Sequence, residues 1–134
     1  MFIRYEEIDR FNDVTIDVRT NKEYNDMKFF EYNVPIINED DYKILKKHTY
    51  LAFPIIIKGL IKNKKQIREE LEDLSRYRNY RLIIGCSQGR LRSPIMYLYA
   101  KYIGLDAKVL KGGIKPFFIK KDYNIKNLYG FLDI

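Results

Sequence analysis

Apolar segments of strand length alternate with segments of helical period along this chain. Residues 14–18, 81–85 and 107–110 have the apolar, β-branched composition of strands. The segment 81–85 is apolar almost throughout, which is typical of a strand buried on both faces of a parallel sheet. A further short strand, residues 32–36, contains Pro35 and belongs at a sheet edge, because proline cannot donate to the ladder.

Helical segments lie between these strands, and several carry end signals. Thr20 or Asn21 can cap the first of them through a side-chain oxygen. Pro54 predicts that a helix begins or is interrupted near it, since proline lacks the N–H that a helix interior uses. In chain order, the predicted helices span residues 23–26, 39–47, 51–60 and 66–77.

The most clearly marked helix follows the strand at 81–85. Ser93 supplies a capping hydroxyl, Pro94 takes the first helical position, and Gly104 ends the helix. One face of this helix, which we expect to pack into the core, carries Ile95, Leu98, Tyr99 and Tyr102. Beyond the strand 107–110 we expect a last helical turn or two at 114–118, whereas residues 120–134 show no clear period.

Alternating strands and helices predict an α/β fold, with a mostly parallel sheet and helices on both faces. The 134 residues suit one domain, which we expect to span residues 1–134. Apolar residues make up 46% of the chain and glycine and proline are few, so the composition is that of a folded protein.

Net charge gives a first indication of partners. The chain carries 25 Lys and Arg against 18 Asp and Glu, a balance of +7 that would attract RNA or an acidic protein surface. A solvated lysine-rich surface without a partner explains the same composition. The lysines that cluster in the middle third are Lys43, Lys46, Lys47, Lys58, Lys62, Lys64 and Lys65.

The cysteine count and the N-terminal residues indicate the cellular location of the protein. A single cysteine cannot form an internal disulfide, and no Cys/His spacing suggests a metal site. The N-terminus turns acidic too early for a signal peptide, and no apolar run is long enough to span a membrane. We expect a soluble, cytoplasmic protein that makes no membrane contact.

The candidate chemistry lies in the loop Cys86-Ser87-Gln88-Gly89-Arg90-Leu91-Arg92, between the strand at 81–85 and the following helix. A loop that enters a helix N-terminus favours an anion, and the same field favours the thiolate of a cysteine placed there. Gly89 permits a backbone conformation closed to other residues, and Arg90 and Arg92 add positive charge. These features make Cys86 the candidate nucleophile.

Two other interpretations of Cys86 remain open at this point. A lone cysteine can be a small buried hydrophobe, although Cys86 lies just beyond the strand, where open α/β sheets bind their ligands. The spacing of cysteine, five residues, Arg92 and Ser93 also fits a tyrosine-phosphatase loop. That enzyme class would need a histidine before the cysteine, where Gly85 stands, and a general-acid aspartate that we cannot nominate.

Two flanking motifs resemble those of the rhodanese family. Ile16-Asp17-Val18-Arg19 followed by Glu23-Tyr24 resembles the family's opening motif, and Val109-Leu110-Lys111-Gly112-Gly113-Ile114 resembles its closing motif. With the cysteine loop between them, the resemblance covers about residues 1–119. It implies a five-stranded parallel sheet flanked by helices and a transferase cysteine at Cys86.

Within that family, the stretch Asn33 to Asp41, the long helical insertion after it and the longer cysteine loop resemble the rhodanese half of tRNA 2-selenouridine synthase. That resemblance implies replacement of the 2-sulfur of a wobble thiouridine by selenium from selenophosphate, through an S-geranylated intermediate. The implied co-substrates are selenophosphate and geranyl diphosphate, the latter used by the partner, and no bound cofactor is implied. The implied partners are tRNA and a P-loop domain.

The sequence has no Gly-x-x-x-x-Gly-Lys-[Ser/Thr] motif, so the P-loop domain is expected on a separate polypeptide, as in some methane-producing archaea. The resemblance implies that Cys86 accepts or delivers selenium and that the loop amides with Arg92 hold selenophosphate or phosphate. Ser93 would cap the following helix. Asp17 and Arg19 either bear on the site or, more simply, form a buried ion pair that braces the loop.

The family loop reads Cys-x-Arg-Gly-Gly-x-Arg-Ser, and this chain departs from it at Gln88 and Arg90. The departure leaves the local charge similar and moves an arginine from the third loop position to the fifth. The alternatives to a synthase subunit are a free-standing thiosulfate or persulfide sulfurtransferase, a cysteine phosphatase, and a binding module in which Cys86 is inert.

Overall fold

A five-stranded, all-parallel β-sheet forms the centre of the protein. The alternation of strands and helices predicted the parallel sheet, and the family resemblance implied its five strands. The structure, a computed structural model, describes residues 1–117. The strands lie in the order β1-β5-β4-β2-β3 across the sheet. Their bounds are β1 Phe2–Ile3, β2 Asp13–Asp17, β3 Tyr32–Asn33, β4 Arg81–Gly85 and β5 Ala107–Leu110.

The register of the central strands determines where the candidate site lies. β4 pairs with β2 over five residues, and Asp17 lies opposite Gly85 at the carboxyl ends of the two strands. The segment after Asp17 and the loop after Gly85 therefore leave the sheet side by side. In an open parallel sheet this edge is where ligands bind.

Four α-helices accompany the sheet: α1 Asn21–Asp26, α2 Glu39–Lys47, α3 Ala52–Leu74 and α4 Arg92–Tyr102. Side chains of β4 alternate between the two faces, as strand geometry requires. Leu82 and Ile84 join the larger core cluster, which includes residues of α3 and α4. Ile83 points to a smaller cluster on the other face, with Phe30, Ile114 and Leu110.

The prediction of two helices between residues 51 and 77 is wrong. A single helix, α3, runs from Ala52 to Leu74. Pro54 is its third residue, where the backbone N–H has no partner within the helix in any case, so the proline does not interrupt it. The helix ends before Tyr77, because Arg76, Tyr77 and Arg78 have positive φ angles.

Several strand and helix details also differ from the prediction. β2 begins one residue earlier than expected, β3 ends at Asn33 before Pro35, and the short edge strand β1 was not predicted. On α4, Leu98 and Tyr102 are 62% and 85% exposed, so the predicted core face is wrong at these two positions. The residues of α4 that are buried include Ile95, Met96 and Ala100.

The last described residues begin the helical turn that was predicted. Residues 115–117 have helical backbone geometry, in line with the helical turn expected from Ile114. Phe118 and the tail 120–134 lie outside the described residues. Within residues 1–117, no helix has the length and apolar character that crossing a membrane requires.

Candidate active site

The sulfur of Cys86 lies inside the loop that joins β4 to α4. Its side chain is only 3% exposed. The backbone N–H of Gly89 donates to Sγ at 3.2 Å, and the hydroxyl Oγ of Ser93 lies 3.1 Å from Sγ. Gly89 has a φ of +69°, which brings the loop back towards the sulfur, as its sequence position predicts. A thiolate at Cys86 would therefore accept a backbone and a hydroxyl hydrogen bond.

The closing motif after β5 holds this loop from the other side. The N–H of Ile114 donates to the carbonyl of Cys86 at 2.8 Å, and that of Lys115 donates to the carbonyl of Ser87 at 2.9 Å. Gly113 has a φ of +77°, and a Cβ there would come within 2.6 Å of the Gln88 Cα. Only glycine fits this contact between the two segments.

Ser93 does not cap α4, which corrects the prediction from its sequence position. The N-cap position is Leu91, without a side-chain cap, and the helix begins at Arg92. Ser93 is therefore already in the first helical turn, and its side chain is fully buried against Cys86. Its hydroxyl contacts the candidate nucleophile.

Arg92 is paired with a carboxylate from α1. Its Nη1 donates to Oε1 of Glu23 at 2.7 Å, and its Nη2 donates to Oε2 at 3.3 Å and to Oγ of Ser87 at 3.1 Å. The Ser87 hydroxyl in turn donates to Oε2 of Glu23 at 3.2 Å. Burial works to raise the pKa of Glu23, but the hydrogen bonds and charge of Arg92 outweigh it and hold the pKa below its ordinary value.

The aromatic ring of Tyr42, on α2, covers the Arg92 guanidinium. The ring centroid lies 4.9 Å from Cζ of Arg92, a cation–π distance. Burial and the charge of Glu23 raise the pKa of Tyr42, so its phenol is protonated at neutral pH. Arg92 is thus enclosed by Glu23, Ser87 and Tyr42.

Glu23 itself is positioned by the start of α1. Thr20 caps this helix, as predicted, because its Oγ1 accepts the N–H of Glu23 at 3.3 Å. The Glu23 carboxylate also accepts the N–H of Thr20 at 3.2 Å, which completes a capping box. The opening motif therefore delivers a carboxylate to the cysteine loop.

Asp17 and Arg19 form the buried ion pair that the sequence analysis expected. Nη2 of Arg19 lies 2.7 Å from Oδ2 of Asp17, and the Arg19 backbone N–H donates to Oδ1 at 2.9 Å. The same Nη2 donates to the carbonyl of Met27 at 2.8 Å. These contacts brace the segment that follows β2, and Arg19 also faces the pocket beside Cys86.

The pocket beside Cys86 has a volume of about 540 Å³. Ser87, Gln88 and Leu91 of the loop also line it, and Gln88 and Arg90 are exposed. Its cationic lining residues are Arg19, Lys46, Arg90, Arg92 and Lys115. Within residues 1–117, no aspartate or glutamate lines the pocket, so the pocket favours anions.

The fold gathers the predicted loop residues, with Asp17 and Arg19, at one edge of the sheet. Glu23, Tyr42 and Lys115 were not predicted to be site residues. Glu23 lies in the opening motif, and this position could have identified it as a site residue. Tyr42 and Lys115 carry no signal of this kind, because they reach the pocket only through the packing of α2 and the turn after β5.

Comparisons with known proteins identify the fold and no family. Neither a protein-family model nor a curated protein sequence matches the chain. A solved structure does match: the N-terminal domain of a "putative ATP/GTP binding protein" from Clostridium difficile 630. The TM-score is 0.75 at 21% identity, over 90% of this chain and 98% of that one. The likeness is one of α/β fold.

Proposed function

We propose that this chain is a rhodanese-type transferase subunit that, with a separate P-loop protein, replaces sulfur by selenium at the wobble 2-thiouridine of tRNA. In this exchange the C2–S bond of the S-geranylated base breaks and a C2–Se bond forms. Geranylthiol leaves, and water takes the phosphoryl group of selenophosphate as phosphate. Selenium keeps its oxidation state, so no oxidant is needed. The Cys86 thiolate would attack C2 and expel geranylthiol, and the selenium of selenophosphate would then attack C2 and expel the Cys86 thiolate.

The observation that carries the proposal is the environment of the Cys86 sulfur. The Gly89 N–H donates to Sγ at 3.2 Å, and the Ser93 hydroxyl lies at hydrogen-bond distance, 3.1 Å from Sγ. Both contacts orient the sulfur, and they can stabilise the negative charge that it carries when it reacts as a nucleophile. An inert core cysteine needs no such contacts, and the cationic pocket beside it suits an anionic donor.

Contact between the three sequence motifs supports a rhodanese-type site in particular. Glu23 of the opening motif accepts from Ser87 and Arg92 of the cysteine loop. Ile114, in the closing motif, donates to the carbonyl of Cys86. Motifs that are distant in sequence therefore build one site.

A tRNA substrate is supported by the exposed lysines of α2 and α3. The seven lysines of the middle third are all exposed, and they lie on α2 and α3. Lys46, on α2, also lines the pocket. Lysines arranged in this way can neutralise phosphates while a base reaches Cys86. The name of the similar structure, an N-terminal domain of a nucleotide-binding protein, is compatible with a P-loop partner.

The same geometry makes a phosphatase a poorer candidate. A phosphatase loop uses its arginine to hold phosphate, whereas Arg92 is already paired with Glu23. Glu23, with its lowered pKa, is ionised at neutral pH and cannot act as the general acid. Within residues 1–117, no carboxylate lines the pocket that could take this role instead.

A free-standing sulfurtransferase is the second candidate, because Cys86 and its pocket lie within this chain. The Cys86 thiolate would attack the outer sulfur of thiosulfate, and sulfite would leave with the electron pair of the broken S–S bond. Cyanide would then take the outer sulfur as thiocyanate and restore the thiolate. This reaction needs no P-loop partner.

The test is tRNA selenation with 2-thiouridine tRNA, selenophosphate and geranyl diphosphate. The reaction is run with this chain alone, with a candidate P-loop partner, and with the partner and Cys86→Ser. We expect selenouridine only when both wild-type chains are present. Thiocyanate formation by the chain alone, without selenation by a folded and interacting pair, would establish the second candidate instead.

A further inference from the structure

The pocket beside Cys86 has two chemically different sides. Four of the five cations come from the cysteine loop and the segments after β2 and β5: Arg90, Arg92, Arg19 and Lys115. The side formed by α2 and the start of α3 contributes Leu45, Ala52 and Ile56, beside Tyr42 and the fifth cation, Lys46. Leu91 of the loop also lines the pocket. An inorganic anion would use only the cationic side.

The volume of the pocket also exceeds what a small inorganic anion needs. About 540 Å³ lies within the range of roughly 300–1,000 Å³ that is typical of pockets for drug-sized ligands. Thiosulfate and phosphate have only five heavy atoms each. If only an inorganic anion bound, the apolar residues of the pocket would stay in contact with water. Binding of an apolar group against them would be favourable, because it removes their surface from water.

We propose that the site is a two-part site, in which the loop holds an anion and the α2–α3 wall holds an apolar group of the reactant attached close to the transferring atom. The preferred ligand is then an organic anion with an apolar substituent, not a bare inorganic ion. This inference rests on the proposed transfer role of Cys86. It assigns Leu45 and Ala52 as specificity-determining residues.

The test compares two sulfonates that carry the same anionic group. Benzenesulfonate has an aromatic ring, and methanesulfonate has only a methyl group; neither contains a transferable sulfur, so the wild-type chain is used. We expect benzenesulfonate to bind about tenfold more tightly in a protein-detected NMR titration. Tenfold corresponds to about 1.4 kcal/mol, or burial of roughly 60 Å² of apolar surface.

Two variants test the wall itself. Leu45→Ser should lower the affinity for benzenesulfonate several-fold and leave that for methanesulfonate unchanged. Ala52→Leu, which fills the pocket and retains an apolar surface, should do the same if Leu45→Ser fails to fold. The matched control is Ile44→Ser, because Ile44 is a neighbouring residue of α2 that is 47% exposed and does not line the pocket.

The outcomes distinguish failure of the apolar subsite from failure of the proposed function. Equal affinities for the two sulfonates would overturn the apolar subsite and leave the anion site intact. An equal loss in Ile44→Ser and Leu45→Ser would also overturn it. If neither sulfonate binds, the anion site fails, and the proposed transfer role fails with it.

Discussion

Glu23 and Arg92 form a two-point ion pair beside the Cys86 sulfur, although 69 residues separate them in the chain. The pair is largely buried, with side-chain exposures of 16% and 9%. Its charges largely cancel, so the arginine is not free to hold an anion with both nitrogens. The pair therefore positions the loop, and Lys46, Arg90 and Lys115 are left as exposed cations of the pocket.

Removing the charge of Glu23 should increase anion binding. In Glu23→Gln the guanidinium of Arg92 keeps its charge and loses its ionic partner, so we expect sulfate to bind roughly three- to tenfold more tightly. Titration of wild-type and variant chains with sulfate at constant ionic strength measures the change. Unchanged affinity would show that Arg92 does not contribute to the anion site. Glu72→Gln, which breaks the exposed Arg68 pair on α3, is the control.

The same ion pair predicts a pH dependence of stability. The folded-state pKa of Glu23 is lowered, so its contribution is complete above the ordinary value near 4.5 and is lost as the pH falls through the folded-state value. Glu23→Gln should lower the free energy of unfolding by about 2 kcal/mol at pH 7, because the hydrogen bonds of Arg92 then go to a neutral amide and not to a carboxylate. The difference from wild type should shrink in more acidic buffers. Urea unfolding at pH 7 and at several acidic pH values measures it, and a difference independent of pH would contradict the prediction.

Ser93→Ala should slow the chemistry of Cys86 without unfolding the protein. The variant removes the hydroxyl that lies 3.1 Å from the sulfur and leaves the Gly89 N–H in place. We expect alkylation by iodoacetamide at pH 7 to slow about tenfold, since one hydrogen bond to a charged group is worth about 1.5 kcal/mol or more. Mass spectrometry follows the reaction.

The control for this change is Ser87→Ala, because the Ser87 hydroxyl contacts Glu23 and Arg92 and is not bonded to the sulfur. Its effect on alkylation should be smaller. Equal slowing in both variants would show that loop integrity, and not the hydroxyl at the sulfur, determines the rate.

Gly113→Ala should disrupt the cysteine loop, whereas Gly112→Ala should not. Both glycines have a φ near +77°, so both substitutions carry a backbone penalty of about 1 kcal/mol. Only at Gly113 would the Cβ also meet the Ser87 carbonyl and Gln88. We expect Gly113→Ala to cost about 2–4 kcal/mol of stability in total. Similar unfolding midpoints for the two variants would refute the contact.

Lysines on α2 should contribute to tRNA binding. The double variant Lys43→Glu with Lys47→Glu should weaken binding at least tenfold at 50 mM salt and reduce the slope of log affinity against log salt by about 2. Lys101→Glu is the control, because Lys101 lies in the last turn of α4, far along that helix from the loop. An equal effect of Lys101→Glu would indicate only a non-specific charge effect.

The sequence alone determined the class of fold and the place of the candidate nucleophile. The strands Arg81–Gly85 and Ala107–Leu110 have the bounds that were predicted. A short apolar run between turn signals is typical of a buried strand. Gly89 likewise has the positive φ that its place in the loop requires. These features are local, and local patterns encode them.

Tertiary structure decided which groups meet at that place. Ser93 has the residue type of a cap, but the backbone enters the helix two residues earlier and turns its hydroxyl to Cys86. Glu23 reaches Arg92, and Tyr42 covers it, only because β2 and β4 end side by side and α2 packs over the loop. Contacts between residues so far apart in the chain depend on the packing of whole elements, which no local pattern records.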